Sequence, residues 1–404
     1  MIKQAIRALL LGLSTARFAA AACTRTYYIA ADELVWDYVP TNINQYDGTP
    51  ITTPGADSAV FTVNDAMTIG QNYTKAIYQE YTDYTFTKLK PKPVHLGYLG
   101  PVIRAEVNDT IVVVFRNNAG AGFTPPLQFS IHPHGVKYTK HNEGVHYQFE
   151  VDNSGSVSPG TTFTYTWQVP DRAGPGKDDG NAVMWAYHSH HNEVCSACMP
   201  GKHDGNAVMW AYHSHHNRVK DTYSGLNGPM VIYKPNTLAP FTNKALDVDR
   251  EFFLLFEVMD ENQSHYLDVN CAKFGCDPAL VNADPDGFHE SNLMHNINGR
   301  MYGNLDGLNM YAGENVRWFI AAFGTEVDLH TAHFHGNTLL LSNHRTDVID
   351  LLPATFRTLS MQPDSEGKWL IHCHVNDHIK AGMLAFYNVY PKPVLRGTYP
   401  ALVY

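Results

Sequence analysis

The segment HCHVNDHIKAGM, residues 372–383, sets soft and borderline metal donors at fixed offsets around a single cysteine. An extended strand alternates its side chains with a period of two. In HCH, His372 and His374 therefore face one way and Cys373 the other. Upstream, HTAHFHG carries His330, His333 and His335. His333 and His335 share parity and His330 has the opposite one. Two donor sets follow. The first is His330, Cys373, His378 and Met383, which supplies two imidazoles, a thiolate and a thioether. That is the ligand set of a blue copper electron-transfer centre with a weak axial methionine. The second, in this half of the chain, is His333, His335, His372 and His374.

The first half contributes His132 and His134 from IHPHG, plus one pair from a strand ending in HSHH. The sum is eight outward imidazoles and no carboxylate, which suits copper or zinc far better than calcium or magnesium. The HSHH strand is written twice. GKDDGNAVMWAYHSHHN (176–192) and GKHDGNAVMWAYHSHHN (201–217) differ at one position and are offset by 25 residues. The pair is then His188 and His190, or His213 and His215. By parity either copy turns its two histidines to one face, yet the site has room for one pair. The second copy runs directly into RVKDTYSGLNGPMVIYK, so His213 and His215 are the expected ligands. The first copy becomes a surface insertion carrying Cys195 and Cys198, the product of a tandem duplication or of an error in the gene model.

The elements that must position these residues are strands. TIVVVFRN, TFTYTWQV, GPMVIYK, REFFLLFEV, NVRWFIAAF, KWLIHCHV and GMLAFYNVY are rich in β-branched and aromatic residues and separated by turn formers. No long helical period interrupts them. The linker PNTLAPFTNKALDVD, 235–249, divides the chain into halves, each with an HxHG ahead of an HxH strand. Two homologous Greek-key β-sandwich domains are expected, over 24–235 and 249–395, in an all-β chain.

Composition bounds the partners. The chain has 404 residues and a formal charge of −10, which argues against nucleic acid. MIKQAIRALLLGLSTARFAAAAC has the basic start, apolar run and small residues of a secretory signal over 1–22, and a secreted protein is expected. No later stretch is long and apolar enough for a membrane span. Cys271 and Cys276 are placed to pair in an oxidising compartment, and sequons stand at Asn72, Asn108 and Asn262.

In their order the four histidine motifs resemble those of the multicopper oxidases. Within that family, GYLGPVIRAEVNDTI, SGLNGPMVIYK, DENQSHYLDVN, MHNINGRMYGNL and DLHTAHFHGNTL are most similar to the ceruloplasmin–hephaestin branch. The resemblance runs from YYIAADELVWDY to FYNVY and implies cupredoxin-like domains. It implies that His330, Cys373, His378 and Met383 hold a type 1 copper and that His132 and His333 hold a type 2 copper. His134, His335, His372, His374 and the HSH pair would hold two type 3 coppers. The first half departs from a full copper-bearing domain, since Ser214, Val219 and Ser224 stand where Cys373, His378 and Met383 would be. One type 1 centre is therefore expected.

The implied reaction couples one-electron oxidation of a substrate to four-electron reduction of O2 to water. Cys373, flanked by His372 and His374, gives a short covalent path between the two sets. The family's iron site is matched by Glu290 and His295 in HESNLMHNING and by Asp377 beside His378. Hard carboxylates stabilise Fe(III) over Fe(II), which favours a ferroxidase over a laccase-like phenol oxidase. A non-catalytic copper carrier, like the copper-poor A domains of clotting factors, is the reading from another class. A two-domain copper nitrite reductase is disfavoured because it needs no set of eight trinuclear histidines. Since each domain offers half of the trinuclear site, a head-to-tail homotrimer is expected, with each site between neighbouring chains.

Overall fold

In the computed structural model the described residues are 22–146, 154–175, 182–185, 210–213, 217–324, 328–342 and 344–392; only the backbone is described at 182–185, 210–213 and 218. The first half supplies β1 (Thr24–Asp37), β2 (Asn72–Tyr81), β3 (Ile103–Glu106), β4 (Thr110–Asn117), β5 (Thr162–Gln168), β6 (Ala182–Trp185), β7 (Trp210–His213) and β8 (Asn227–Tyr233). They form one sheet of order β2-β1-β4-β5 and a second of order β3-β8-β6, with β7 also on β8. The second half supplies β9 (Arg250–Asp260), β10 (Leu293–Ile297), β11 (Asn309–Tyr311), β12 (Val316–Ala322), β13 (His330–Phe334), β14 (Leu339–Leu341), β15 (His344–Thr346), β16 (Val348–Leu351), β17 (Thr355–Met361), β18 (Gly367–Cys373) and β19 (Leu384–Tyr390). Their sheets have the orders β10-β9-β12-β17-β14-β15 and β11-β19-β18-β13-β16. The chain is all-β in class, and its helices are short.

Three cores explain why some strands alternate and others read as unbroken apolar runs. β4 alternates because one face alone is buried, through Ile111, Val113 and Phe115. β9 is apolar on both faces because each face meets a different core. Phe252, Leu254 and Phe256 enter the core of the second sandwich. Phe253, Leu255 and Met259 enter a core shared with the first half, where they join Tyr38, Tyr73, Ile77, Val231 and Tyr233. β12 splits in the same way, with Trp318 and Ile320 on one side and Phe319 and Ala321 on the other.

A buried ion pair crosses this shared core. Lys75 Nζ lies 2.5 Å from Glu261 Oε1, and both side chains are fully buried. Lys75 also donates to the Tyr223 carbonyl at 2.9 Å, and the Tyr38 hydroxyl donates to Glu261 at 2.7 Å. Burial pushes the Glu261 carboxyl up in pKa, against the pull of Lys75. Removing one member of such a pair costs about 3–5 kcal/mol, because the other charge stays buried. The segment 235–249 is likewise no loose tether. The Thr237 and Leu238 amides donate to Glu106 Oε1 at 2.7 and 2.6 Å, and Leu238 and Ala245 sit in the shared core.

The duplicated strand is resolved in an unanticipated way. β6, from the first copy, pairs antiparallel with Met230–Tyr233, and Trp185 stands opposite Met230. β7, from the second copy, pairs with Asn227–Met230, and Trp210 stands opposite the same Met230. The two registers are continuous once the 25-residue offset is removed. β8 thus has one partner position, filled in part by each copy. Deleting residues 186–210 joins Trp185 to Ala211 and restores AVMWAYH as one strand. The entropic cost of bringing two paired segments together grows with the length of chain between them, and the deletion removes 25 residues ahead of β8, so the variant should keep its far-UV circular dichroism and melt no lower than the full chain. A cooperative loss of structure would mean that the repeat is needed for folding.

Candidate metal centre

β13 and β18 pair antiparallel, with Ala332 opposite Cys373 and His333 opposite His372. Because side chains alternate, this register sorts the donors onto two faces. Cys373 and His330 turn into the sandwich, with Cys373 fully buried and His330 2% exposed. There the Cys373 Sγ lies 3.5 Å from His378 Nδ1 and 3.9 Å from His330 Nδ1, and the two ring nitrogens are 3.1 Å apart. His378 reaches the site from the short helix Asn376–Lys380. Met383 is fully buried in the same core as Cys373, and two backbone bonds fix the turn that bears it. The Met383 amide donates to the His378 carbonyl at 2.9 Å, and the Cys373 amide donates to the Met383 carbonyl at 3.0 Å.

On the opposite face His333, His335 and His372 converge, with His335 Nε2 and His372 Nε2 3.1 Å apart. His374 is exposed and lies beside them, its ring 5.4 Å from those of His333 and His372. The glycine of HxHG has a reason. Gly336 has φ +74°, and a Cβ there would lie 2.3 Å from the Trp369 ring. Trp369 thus packs directly against the backbone that aims His335, and the Tyr387 hydroxyl donates to the His335 carbonyl. In the first half His132 and His134 lie side by side, ring centres 5.6 Å apart, and the buried His132 holds its Nδ1 on the Glu143 carbonyl. No ring contact joins this pair to the second-half set among the described residues. His213 ends β7 opposite Asn227. His188, His190 and His215 lie outside the described residues, as do Cys195 and Cys198.

Both donor sets fit a borderline-soft metal. Burial lowers the pKa of His330 to about 3, helped by the neighbouring His378 and His295. Burial also lowers His378, with Asp328 and Asp377 acting against it. His333 and His372 are lowered by burial as well. These rings are therefore neutral near pH 7, as ligands must be. Burial raises the Cys373 thiol above its ordinary value. A buried and a half-buried imidazole, His330 and His378, whose nitrogens face a buried thiol at these distances match the equatorial donors of a blue copper site.

His295, Glu290 and Asp377 are only partly assembled. His295 is 8% exposed, and its ring is 5.2 Å from that of His378. Its Nδ1 lies 2.9 Å from the Leu293 carbonyl, and burial lowers its pKa to about 4. Asp377 is exposed but near enough to act on His295 electrostatically. Glu290 is exposed in the helix Pro285–Ser291. The three do not bring ligand atoms within 4.8 Å of one another, unlike His330, Cys373 and His378 or His333, His335 and His372, so the expected iron cluster is not preformed. An exposed carboxylate on a helix end keeps its rotamer freedom and its hydration.

Sequence reasoning missed the supports of these sites. Phe61, from the first half, packs edge-on against His295 at 5.6 Å. Asp347 lies 3.8 Å from His333 Nε2. Such contacts join distant parts of the chain and leave no local spacing signal. Cys271 and Cys276 form the expected disulfide.

Copper binding to the metal-free chain should release a proton from Cys373, whose raised pKa keeps the thiol protonated near neutrality. Affinity should therefore rise with pH through the neutral range, while His330 adds no further pH dependence above about pH 4. A pH-stat titration with copper checks both. Cys373→Ser should abolish the intense visible absorbance of the loaded protein and this proton release.

Comparison with known proteins agrees with the geometry. Two multicopper oxidase family models match residues 82–201 and 277–393, together more than half of the chain. Ferroxidase HEPHL1 of Homo sapiens is 39% identical over 91% of this chain and 29% of its own length. Ceruloplasmin of Mus musculus is 41% identical over 91% of this chain and 31% of its own. Hephaestin of Homo sapiens is 39% identical over 91% and 29%. The chain thus spans about a third of the length of these relatives. Among solved structures, the multicopper oxidase mgLAC superposes with a TM-score of 0.52 at 16% identity, over 93% of this chain and 89% of that one. A second multicopper oxidase gives 0.50 at 14% identity, over 91% and 88%. With its fold, its two donor sets and its similarity all in agreement, the chain belongs to the multicopper oxidase family.

Proposed function

We propose that the chain is a copper-dependent ferroxidase, oxidising Fe(II) to Fe(III) with O2 as the final acceptor. The observation that carries this reading is His295, a neutral, buried imidazole in ring contact with the copper-site candidate His378. With Nδ1 held at the Leu293 carbonyl, its Nε2 is the nitrogen left for a substrate cation. Asp377 is an exposed acid that acts on His295 electrostatically, and Glu290 is a second exposed acid five residues before His295; both are the carboxylates we assign to such a cation, where they favour its ferric state. Copper bound by Cys373, His330, His378 and Met383, and by the histidines of the second set, supplies one-electron redox chemistry and a place for O2 to be reduced. The protein holds His330 and Cys373 buried, with His378 half-buried, and joins this set to the second through consecutive residues, since Cys373 belongs to one and His372 to the other. We assign one type 1, one type 2 and two type 3 coppers, with His213 and His215 as the first-half type 3 pair. The relatives that support the iron reading are named ferroxidase, ceruloplasmin and hephaestin. Phenol oxidation remains the second reading, and a copper carrier without turnover the third.

Steady-state O2 uptake with Fe(II) and with a phenol decides among them. Fe(II) should be the better substrate, and Glu290→Ala should lower kcat/KM for Fe(II) by about tenfold, close to 1.4 kcal/mol, with little change for the phenol. Equal loss for both substrates would sink the iron assignment, and no O2 uptake with either would leave a carrier.

We also infer that the two halves of the histidine cluster meet between chains. Each half of the chain carries its own share of the eight histidines, His132 and His134 in the first and His333, His335, His372 and His374 in the second, so a head-to-tail trimer would bring complementary faces together. Native mass measurement of the loaded protein should give a trimer. A copper-loaded, active monomer would rule the arrangement out.

A further inference from the structure

Three N-x-S/T sequons, at Asn72, Asn108 and Asn262, have no part in the copper chemistry. The fold treats them differently. Asn262 is half-buried, and its side-chain amide commits both protons, to Asp260 Oδ1 at 2.9 Å and to the His289 carbonyl at 3.0 Å. Asn72 is half-buried at the start of β2, its backbone paired with Asp37, and Thr74 of its sequon is buried. Of the three, Asn108 alone is exposed. Its backbone amide donates to the Val169 carbonyl at 2.8 Å, while its side-chain amide makes no hydrogen bond among the described residues.

The turn that presents Asn108 joins β3 to β4. The Asp109 amide donates to the Glu106 carbonyl at 3.0 Å, so Asn108 is the third residue of a four-residue turn. Its φ is +78°, the left-handed region that glycine or asparagine takes at that place. The second half builds the same turn without a side chain. There the Glu314 amide donates to the Tyr311 carbonyl at 3.2 Å, and Gly313 has φ +79°. The flanking bonds match as well. The Val107 amide donates to the Tyr233 carbonyl at 3.0 Å, and the Ala312 amide to the Tyr390 carbonyl at 2.9 Å. The backbone at 108 is therefore satisfied by glycine, and what asparagine adds is a solvent-facing carboxamide with Thr110 two residues on.

We propose that Asn108 is an N-glycosylation site, carrying an oligosaccharide on its side-chain nitrogen. The donor is an oligosaccharide on a lipid diphosphate. A bond forms between Asn108 Nδ2 and C1 of the first sugar, and the bond from C1 to the diphosphate oxygen breaks. The diphosphate leaves with that electron pair, one amide proton goes to a base, and nothing is oxidised or reduced. Glycosylation requires a secretory route, which the signal-like residues 1–22 and the Cys271–Cys276 disulfide support. It does not depend on the Fe(II) assignment. The site also leaves the copper strand free. Val107 bonds to the Tyr233 end of β8, whereas His213 stands opposite Asn227 at the other end. The seven residues of β8 put about 20 Å between those ends.

Expression of the full chain in animal cells tests this, with intact mass measured before and after enzymatic removal of N-glycans and peptide mapping to locate the acceptor. Asn108 should be occupied. Asn108→Gly keeps the turn in the form the second half uses and should remove one glycan from the secreted protein. Thr110→Val should remove the same glycan, and Thr110→Ser should retain it. Asn108→Gly should also match the enzymatically deglycosylated wild type in copper content and melting temperature. A bare Asn108 in the secreted wild type overturns the proposal, whatever is found at Asn72 and Asn262. If the chain stays in the cell with its own residues 1–22, it is expressed again behind a substitute secretory leader, and a bare Asn108 there overturns the proposal too. The readout involves neither Fe(II) nor O2, so failure here leaves the ferroxidase reading standing, and failure of that reading leaves this one intact.

Discussion

The two-residue period of one strand pair organises the chemistry. β13 and β18 each place alternate side chains on opposite faces, and their register sets Ala332 against Cys373 and His333 against His372. A slip of one residue would turn the thiol out of the core and the outward histidines into it. Everything the site needs follows from that register: a buried thiol with two imidazoles on one face, and a cluster of imidazoles on the other. The backbone between Cys373 and His372 is the shortest link between them.

The register is held by what surrounds it. Trp369 fills the space that a side chain at Gly336 would take, so the turn after His335 has one conformation. Tyr387 ties the His335 carbonyl from β19. The turn bearing Met383 is bonded to both His378 and Cys373 through the backbone. Each support comes from a separate strand or turn, so the donor geometry depends on the whole sandwich rather than on the motif alone.

The two halves act as one body because β9 and β12 serve two cores at once. The shared core carries a fully buried Lys75–Glu261 pair, whose geometry matters because either charge left alone would be costly. This joint brings the first-half segment 44–58 and Phe61 up to the second-half metal centre. The surroundings of the cysteine centre are therefore built from both halves, although all its donors come from one.

The sequence by itself determined the strand class and the sorting of donors into two sets. Those properties are local: alternation is covalent, and HCHVNDHIKAGM fixes its own offsets. Tertiary structure decided what depends on chain segments far apart. It showed that 235–249 is packed rather than loose, because Glu106 satisfies its amides. It left Glu290 and Asp377 in solvent instead of closing them on His295, since an exposed carboxylate gains little by leaving water. It also divided one strand position between the two copies of AVMWAYH, because β8 offers a single edge and identical sequences fill it equally well.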